Sequence, residues 1–255
     1  MMNEECGSDE QRKDQMIVLP VYNREQAYTV NPTKIIALGL NYRSHIAESH
    51  SVKVSGFTDE IPEEPILFPK TPNVLIGPGE PIVIPRFLID YRFEELRTDY
   101  EAELAFIMKD RCKAVSPQDA LNHVFGFTCM NDVSQRNLQT KDRSGWFRGK
   151  SLDTFGPIGP QVVMTEDLSD PQNLGLQCRL NGKVVQSSNT RHMIFKIPEI
   201  IAFISNQLTL MPGDIILTGT PSGVGPLRDG DTVEVEIEQI GILCNPVIEE
   251  QRNGS

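Results

Sequence analysis

Two glutamates separated by a single residue, Glu101 and Glu103, stand out in this 255-residue chain as side chains that could do chemistry. Side chains of a β-strand alternate between its faces, so both carboxyl groups would share one face, about 6–7 Å apart along the strand. Two like charges that close repel each other unless they are solvated, protonated or bridged by a cation. A solvent-exposed face is the simpler interpretation, but Ala105 and Ile107 continue that face and indicate that it is partly covered.

A third carboxylate, Asp132, stands where the apolar run HVFGFTCM (123–130) ends and the sequence turns polar. Carboxylates at strand ends commonly line functional sites, although a single aspartate there is more often a turn or cap residue. If the three carboxylates meet, their oxygens suit a hard cation such as Mg²⁺, Mn²⁺ or Ca²⁺ better than zinc, since no paired histidine or thiolate accompanies them.

The bulk composition limits the possible partners. The net charge is −11 and no basic run stands out, which argues against nucleic acid and against an anionic membrane surface. The five cysteines are far apart without a CxxC pair, which favours a reducing, cytoplasmic setting over a disulfide framework. The polar, acidic start is unlike a signal peptide, and no apolar run is long enough to span a bilayer.

Short strands dominate the predicted secondary structure. We expect a polar tail followed by a short hairpin or arm within 1–31, and one domain over 32–250. Strands are predicted by the apolar runs KIIALG (34–39), PILFPK (65–70), NVLIG (73–77), PIVIP (81–85), EAELAFIMKD (101–110), HVFGFTCMND (123–132), GPQVVM (159–164), LGLQCRLNG (174–182) and TVEVEIEQIGIL (232–243). Asn181-Gly182 is a hairpin turn signal.

Only two helices are predicted. One follows Ser116-Pro117 as N-cap and first helical residue, and the other begins at Pro198 with an isoleucine stripe. Many short strands with few helices favour an α+β, mostly β sandwich or roll. The irregular order of strands and helices argues against a Rossmann fold.

Taken together, these segments resemble the fumarylacetoacetate hydrolase family over about residues 34–246. The resemblance is carried by LGLNYRSHIAE (38–48), PILFPKTPNVLIGPGEPIVIP (65–85), DYEAELAFIM (99–108), GFTCMNDVSQRNLQ (126–139), RGKSLDTFGPIGP (148–160), LNGKVVQSSNT (180–190) and GDIILTGTPSGVG (213–225). Each motif is weak alone, whereas their order makes the set specific. The resemblance implies a mixed β-sandwich roll, a homodimer and a small 2-oxo acid as substrate.

The resemblance also implies a role for individual residues around a Mg²⁺ or Mn²⁺ ion, with Ca²⁺ possible in vitro. Glu101, Glu103 and Asp132 match the metal ligands of the family. Lys150, in GKSLDTFGP, matches a lysine that approaches the substrate or its developing negative charge.

Further positions match residues that line the same site. Arg136 and Gln139 match polar lining residues, and Thr220, in TGTP, matches a contact to the substrate carboxylate. His45 and Glu48 match the pair that activates water in hydrolytic members. Their spacing of three puts them on one face of a helical turn, where Glu48 could orient His45.

Two departures and one long segment bear on specificity. Larger relatives have a fourth carboxylate ligand where this chain has Leu38, and the stretch 86–97 looks longer than usual, acidic and aromatic. Residues 45–65 are polar and poorly patterned, as in a lid or in a merely mobile surface loop.

Two reactions remain open at this stage. Hydrolysis of a C–C bond in an acylpyruvate needs water activated by His45 and Glu48. Keto–enol tautomerisation or decarboxylation of oxaloacetate, or isomerisation of an unsaturated 2-oxo diacid such as 2-hydroxyhepta-2,4-diene-1,7-dioate, needs only the enolate that the metal stabilises. We place hydrolysis first and a non-catalytic metal-binding protein last.

Overall fold

Two larger β-sheets, a three-stranded sheet and a hairpin form the fold in the computed structural model, which describes residues 16–48, 60–141 and 146–251, with side chains for all but 47 and 48. The strands are β1 (Val18–Pro20), β2 (Ala27–Thr29), β3 (Ile35–Gly39), β4 (Ile66–Lys70), β5 (Leu75–Ile76), β6 (Ile82–Ile84), β7 (Thr98–Tyr100), β8 (Ala102–Met108), β9 (Val124–Asn131), β10 (Ser134–Gln135), β11 (Gly156–Met164), β12 (Gly175–Leu180), β13 (Lys183–Asn189), β14 (Ile215–Leu217), β15 (Gly225–Pro226), β16 (Thr232–Ile237) and β17 (Gly241–Glu249).

Helices are fewer than strands, and most of them are short. The α-helices are α1 (Arg43–Glu48), α2 (Arg136–Lys141), α3 (Phe147–Lys150) and α4 (Ile197–Gln207), and 3₁₀ turns cover Pro72–Val74, Arg86–Tyr91, Ala120–His123, Thr165–Asp167 and Thr190–His192. The described part of the chain contains no helix with the length and apolarity to cross a membrane.

The strand order shows a sandwich of mixed sheets. The large sheet runs β4-β3-β14-β8-β9-β11-β5, the second runs β13-β12-β16-β17-β6, and β10-β7-β15 form a small third sheet. Pairs β14/β3, β11/β5 and β17/β6 are parallel and the others antiparallel. The expected α+β, mostly β architecture is therefore confirmed.

Strand β8 occupies the centre of the large sheet and is buried on both faces. Leu104 and Phe106 point into the main core, where Phe106 lies 6.2 Å from Phe127 between ring centroids. Ala105 and Ile107 point into a second core on the opposite face. The face that carries the glutamates is thus covered, which confirms the prediction made from Ala105 and Ile107 in the sequence.

Several local predictions hold. The hairpin expected within 16–31 is formed by β1 and β2, and Leu19 packs into the second core. Asn181 and Gly182 both have positive φ, 51° and 76°, in the turn between β12 and β13. Helix α4 begins next to Pro198 and buries Ile200, Ile201 and Ile204.

Other local predictions are wrong. After Ser116-Pro117 the chain forms turns and the 3₁₀ segment Ala120–His123 instead of an α-helix, because β9 begins at Val124 and leaves too few residues for two helical turns. Strand NVLIG is reduced to Leu75–Ile76, since Pro72 opens a 3₁₀ turn. The run 232–243 is a hairpin of β16 and β17.

The buried centre of β8 gives a stability prediction. Phe106→Ala should lower the free energy of unfolding by about 3–5 kcal/mol, because a large side chain is removed from a packed core. Urea denaturation measures the change. Val184→Ala is the control, since Val184 is 53% exposed and should change the value by less than about 0.5 kcal/mol. A loss below about 1 kcal/mol for Phe106→Ala would contradict the central position of β8.

Candidate metal centre

The pairing of β8 with β9 brings the predicted carboxylates together. Ala102 lies opposite Asn131 in the antiparallel register, and the Asp132 N–H donates to the Glu101 carbonyl at 2.9 Å. The Asn131 side chain accepts a hydrogen bond from the Glu101 N–H, also at 2.9 Å. Carboxylates 31 residues apart in the sequence are therefore cross-strand neighbours at the same end of the sheet.

The three carboxyl groups form a compact buried cluster. One oxygen from each of Glu101, Glu103 and Asp132 lies within 4.8 Å of the others, and the three residues are 4%, 0% and 0% exposed. Oxygens bound to one Mg²⁺, Mn²⁺ or Ca²⁺ ion lie at most about 4–5 Å apart, so this spacing suits a shared ion.

Glu103 is held by one oxygen. Its Oε2 accepts a hydrogen bond from the Gly219 N–H at 2.7 Å, while its buried Oε1 has no hydrogen-bond partner among the described residues. Gly219 has φ +90°, and a Cβ there would lie 2.8 Å from the Asn41 Cβ. Glycine is therefore required for the turn whose N–H group fixes Glu103 through Oε2.

Two buried lysines flank Asp132. Lys150 Nζ donates to Asp132 Oδ2 at 2.5 Å and to Glu101 Oε2 at 2.9 Å. Lys70 Nζ forms an ion pair with Asp132 Oδ1 at 2.6 Å. Both oxygens of Asp132 therefore face an ammonium group.

Arg136 provides a third buried cation. Its guanidinium donates to Glu101 Oε1 through a short contact, to Asp99 Oδ2 at 2.8 Å and to Gln139 Oε1 at 2.9 Å. Ser134 Oγ also donates to Glu101 Oε1 at 2.9 Å. Glu101 is thus the most heavily hydrogen-bonded of the three carboxylates, and Arg136 and Gln139 are positioned together.

Burial and neighbouring charges move these pKa values in opposite directions. Burial raises the pKa of Glu103 well above its usual range, and the charges of Asp132 and Glu101 raise it further. Burial is the largest single influence on Glu101 and acts to raise its pKa, but the attraction of Lys150 and Arg136 together with the Lys150 hydrogen bond outweighs it, so that pKa falls below its usual range. Burial lowers the pKa of Lys70 against the pull of Asp132.

The residues present fit a hard divalent cation. Three carboxylates supply only oxygen donors, and Glu103 combines an unpartnered buried oxygen with a raised pKa. A raised pKa favours the neutral form of this carboxyl group, and a nearby cation would favour its charged form. Glu101, Glu103 and Asp132 would hold the ion.

Thr220 lies beside the cluster, and its hydroxyl group is already used. Thr220 Oγ1 donates to the Ala102 carbonyl and accepts from Gln186 Nε2, both at 2.9 Å. Gln186 Oε1 accepts from the Ala102 N–H at 3.0 Å. Since a hydroxyl has one proton to donate, a substrate carboxylate would have to bind the Thr220 backbone.

His45 lies on α1 and is 5% exposed. It lines a cavity together with Glu101, Arg136, Gln139, Lys150 and Thr220. Leu40, with φ +56°, turns the chain from β3 toward α1. The side chain of Glu48 and residues 49–59 of the segment interpreted as a lid or a surface loop lie outside the described residues, so the pairing of His45 with Glu48 stays a prediction.

Four residues around the cluster escaped the sequence analysis: Lys70, Asp99, Gln186 and Trp146. Lys70 and Gln186 stand in strand-like runs, where a polar residue at a core position is a usable signal. Asp99 lies two residues before Glu101 and holds Arg97 and Arg136. Trp146 lines the cavity with His45, and no spacing rule points to it.

The sequence of this chain is similar to those of known proteins. The sequence profile described as fumarylacetoacetate (FAA) hydrolase C-terminal matches residues 34–248. A mitochondrial oxaloacetate tautomerase of Xenopus laevis is 43% identical over 226 residues, which cover 86% of this chain and 66% of the relative.

Solved structures share the fold. The 5-carboxymethyl-2-hydroxymuconate delta-isomerase of Mycobacterium smegmatis superposes with a TM-score of 0.74 and 38% identity, covering 88% of this chain and 81% of that one. A fumarylpyruvate hydrolase of Pseudomonas aeruginosa, solved with Mn²⁺ and pyruvate, has a TM-score of 0.80 at 24% identity, covering 93% and 98%. At that identity the likeness concerns the fold alone.

Glu103→Gln should abolish most metal binding without unfolding the protein. The neutral amide keeps the size of the carboxyl group and cannot add to the repulsion within the cluster, so thermal stability without metal should not fall. Mn²⁺ affinity, measured by calorimetry, should fall at least about 100-fold. Even mutation of a residue that only hydrogen-bonds to a metal ligand typically lowers metal affinity by about 10–100-fold. Glu249→Gln, on an exposed strand end, is the matched control. Equal Mn²⁺ affinity in both variants would exclude Glu103 as a ligand.

Lys70→Met should destabilise the cation-free protein by about 3 kcal/mol, because it leaves one oxygen of the buried Asp132 carboxylate without its ammonium partner while Lys150 still pairs with the other. Added Mn²⁺ should then raise the melting temperature of this variant more than that of the parent, since the ion replaces the lost positive charge. Lys183→Met, at an exposed lysine, should change neither quantity. A stable Lys70→Met protein with an ordinary response to Mn²⁺ would show that Asp132 does not depend on Lys70.

Proposed function

Because the chain belongs to the fumarylacetoacetate hydrolase family, we propose that it is an enzyme that uses Mg²⁺ or Mn²⁺ to form the enolate of a small 2-oxo acid. The observation that carries the proposal is the buried cluster of Glu101, Glu103 and Asp132. These residues would hold a divalent cation, which would supply Lewis-acid chemistry toward the 2-oxo group and its enolate.

The charge balance of the pocket favours an anionic substrate. The buried carboxyl groups of the cluster and of Asp99 number four, and the buried cations Lys70, Arg136 and Lys150 number three. If all are ionised, one divalent cation leaves a net charge of +1. A 2-oxo acid brings at least one negative charge, which this low-dielectric pocket would stabilise.

The chain supplies groups for moving a proton. Lys150 Nζ is a charged donor beside the cluster and is suited to stabilise an enolate oxygen. His45 faces the same cavity, and an imidazole is the usual general base near neutral pH. We assign to His45 the removal of a proton from the carbon next to the 2-oxo group, and to Arg136 and Gln139 the orientation of the carboxylate.

Relatives support tautomerisation as the first reaction to test. The Xenopus relative is named an oxaloacetate tautomerase, and the Mycobacterium smegmatis structure is a delta-isomerase. Both reactions move a proton next to a carbonyl group. We therefore propose keto–enol tautomerisation of oxaloacetate, which sequence analysis placed second to hydrolysis.

Hydrolysis of an acylpyruvate remains the second candidate, because the position of His45 suits it as well as it suits tautomerisation. A buried histidine facing the cavity can activate water as well as move a substrate proton. Glu48, predicted to orient His45, is needed for this reaction and not for tautomerisation.

One assay series separates the two reactions. With Mg²⁺, the protein should speed the decay of enol-oxaloacetate without loss of the four-carbon acid. Acetylpyruvate should give acetate and pyruvate only if the protein is a hydrolase. Both activities should disappear with EDTA and in Glu101→Ala. Activity that survives both treatments would refute the metal-dependent mechanism.

His45→Asn should separate catalysis from metal binding. The rate should fall by about 10²–10⁴-fold, the usual contribution of a general base, while the Mn²⁺ affinity changes less than about threefold. His192→Asn is the control, because His192 is an exposed histidine outside the cavity. A His45→Asn rate equal to that of His192→Asn would remove His45 from the mechanism.

A further inference from the structure

The cavity beside the carboxylate cluster is too small for the proposed substrate. The space open to the centre of a water molecule there is about 10 Å³, which is about the room that a single water molecule needs. A 2-oxo acid has at least a carboxylate, a carbonyl group and a third carbon. At least one group that lines the cavity must therefore move before the substrate can bind.

Most of the lining is fixed. Leu38 and Phe68 are buried in neighbouring strands of the large sheet, and the ionic side chains hold one another as described above. Among the described lining residues, only Gly39 and Trp146 are partly exposed. The cavity therefore meets solvent between these two residues.

The Trp146 indole fills the space between them. A Cβ on Gly39 would lie 2.7 Å and 2.9 Å from Trp146 Cζ3 and Cη2, so any larger residue there would collide with the indole. The indole also meets the Phe68 ring edge-on, with 5.1 Å between centroids. The Phe68 ring centroid also lies 4.9 Å from Lys150 Nζ. Phe68 therefore contacts both the indole and a side chain of the ionic cluster.

We propose that the Trp146 indole is the movable wall of the substrate pocket and determines which substituent on the 2-oxo acid the pocket accepts. The inference rests on the proposed function, since it assumes that a 2-oxo acid binds at the carboxylate cluster. The acid end of the substrate binds beside Glu101, Lys150 and Arg136. The group beyond the 2-oxo carbonyl then contacts Trp146 and Phe68. The size of that group determines how far the indole must move, and therefore the free energy that its displacement requires.

The chain offers a direct reporter of this movement. Trp146 is its single tryptophan, so tryptophan emission comes from the proposed wall alone. Oxalate, a small analogue of the enolate, should shift or quench this emission in the presence of Mn²⁺. The midpoint of the fluorescence titration should equal the Kd measured by calorimetry.

Selectivity tests the wall more directly. Exchange of the C3 hydrogens of 2-oxo acids with deuterium, followed by NMR, measures enolate formation whatever the later reaction is. Trp146→Ala should raise the exchange rate of phenylpyruvate relative to pyruvate by at least about tenfold, since pocket-size effects on selectivity are typically 10–200-fold. Trp146→Phe should give a smaller rise. Phe147→Ala removes the neighbouring aromatic side chain, which is 43% exposed and outside the cavity lining, and should leave the ratio unchanged.

The contact with Gly39 provides a second, independent test. Gly39→Ala should displace the indole, and should therefore change the emission of the ligand-free protein and the phenylpyruvate ratio. Adding Trp146→Ala to Gly39→Ala should restore the melting temperature toward that of Trp146→Ala alone, because the collision partner is gone. Additive losses in the double variant would contradict the contact.

The outcomes distinguish the inference from the proposed function. Calorimetry could show Mn²⁺-dependent oxalate binding while tryptophan emission stays constant and Trp146→Ala keeps the selectivity of the parent protein. That result would refute the role of Trp146 and leave the proposed function intact. If the parent protein neither binds oxalate with Mn²⁺ nor exchanges the hydrogens of any 2-oxo acid, the proposed function fails and the inference fails with it.

Discussion

Mutual repulsion of three buried carboxyl groups is the constraint around which the site is arranged. Glu101, Glu103 and Asp132 lie within 4.8 Å of one another in a region almost closed to solvent. At that distance, ionisation of all three is unfavourable without compensating positive charge. Lys70, Lys150 and Arg136 supply part of it, and the remaining deficit is concentrated at Glu103. The same arrangement that pairs these carboxylates with buried lysines makes the cluster receptive to a divalent cation.

The sheet holds this unfavourable cluster in place. The register of β8 and β9 makes Glu101 and Asp132 neighbours, and the tight turn at Gly219 fixes Glu103. Gln186 links the second sheet to the same strand through Ala102 and to the loop at Thr220. Because β8 is buried on both faces, its ends cannot relax to separate the charges. The rigidity of the core therefore maintains the spacing that metal binding needs.

The site combines a fixed ionic end with an apolar end that can change. Every described charged group lining the cavity is buried and engaged in ion pairs or hydrogen bonds, whereas the aromatic end meets solvent at Trp146. Electrostatic interactions are strongest where water is excluded. A pocket that closes over its substrate would thus strengthen the interactions that stabilise an enolate. Selectivity among 2-oxo acids would then depend on the apolar end, with little change at the cluster.

The sequence by itself determined the strands, the mostly β fold and the identity of the three carboxylates, because period-two alternation and Pro/Gly boundaries are local signals. By spacing alone, an exposed strand face was the simpler interpretation of Glu101 and Glu103, and the order of the family motifs decided otherwise. Local patterns failed where neighbours decide the outcome, as after Ser116-Pro117, where the start of β9 left no room for a helix.

Tertiary structure alone decided the charge partners and the closure of the pocket. Lys70 pairs with Asp132, which lies 62 positions later in the sequence. Trp146 contacts Gly39, which lies 107 positions earlier. Contacts of this kind depend on which strands become neighbours, and no local periodicity specifies that order. The sequence therefore determined which residues could do chemistry, and the strand order β4-β3-β14-β8-β9 decided which of them meet.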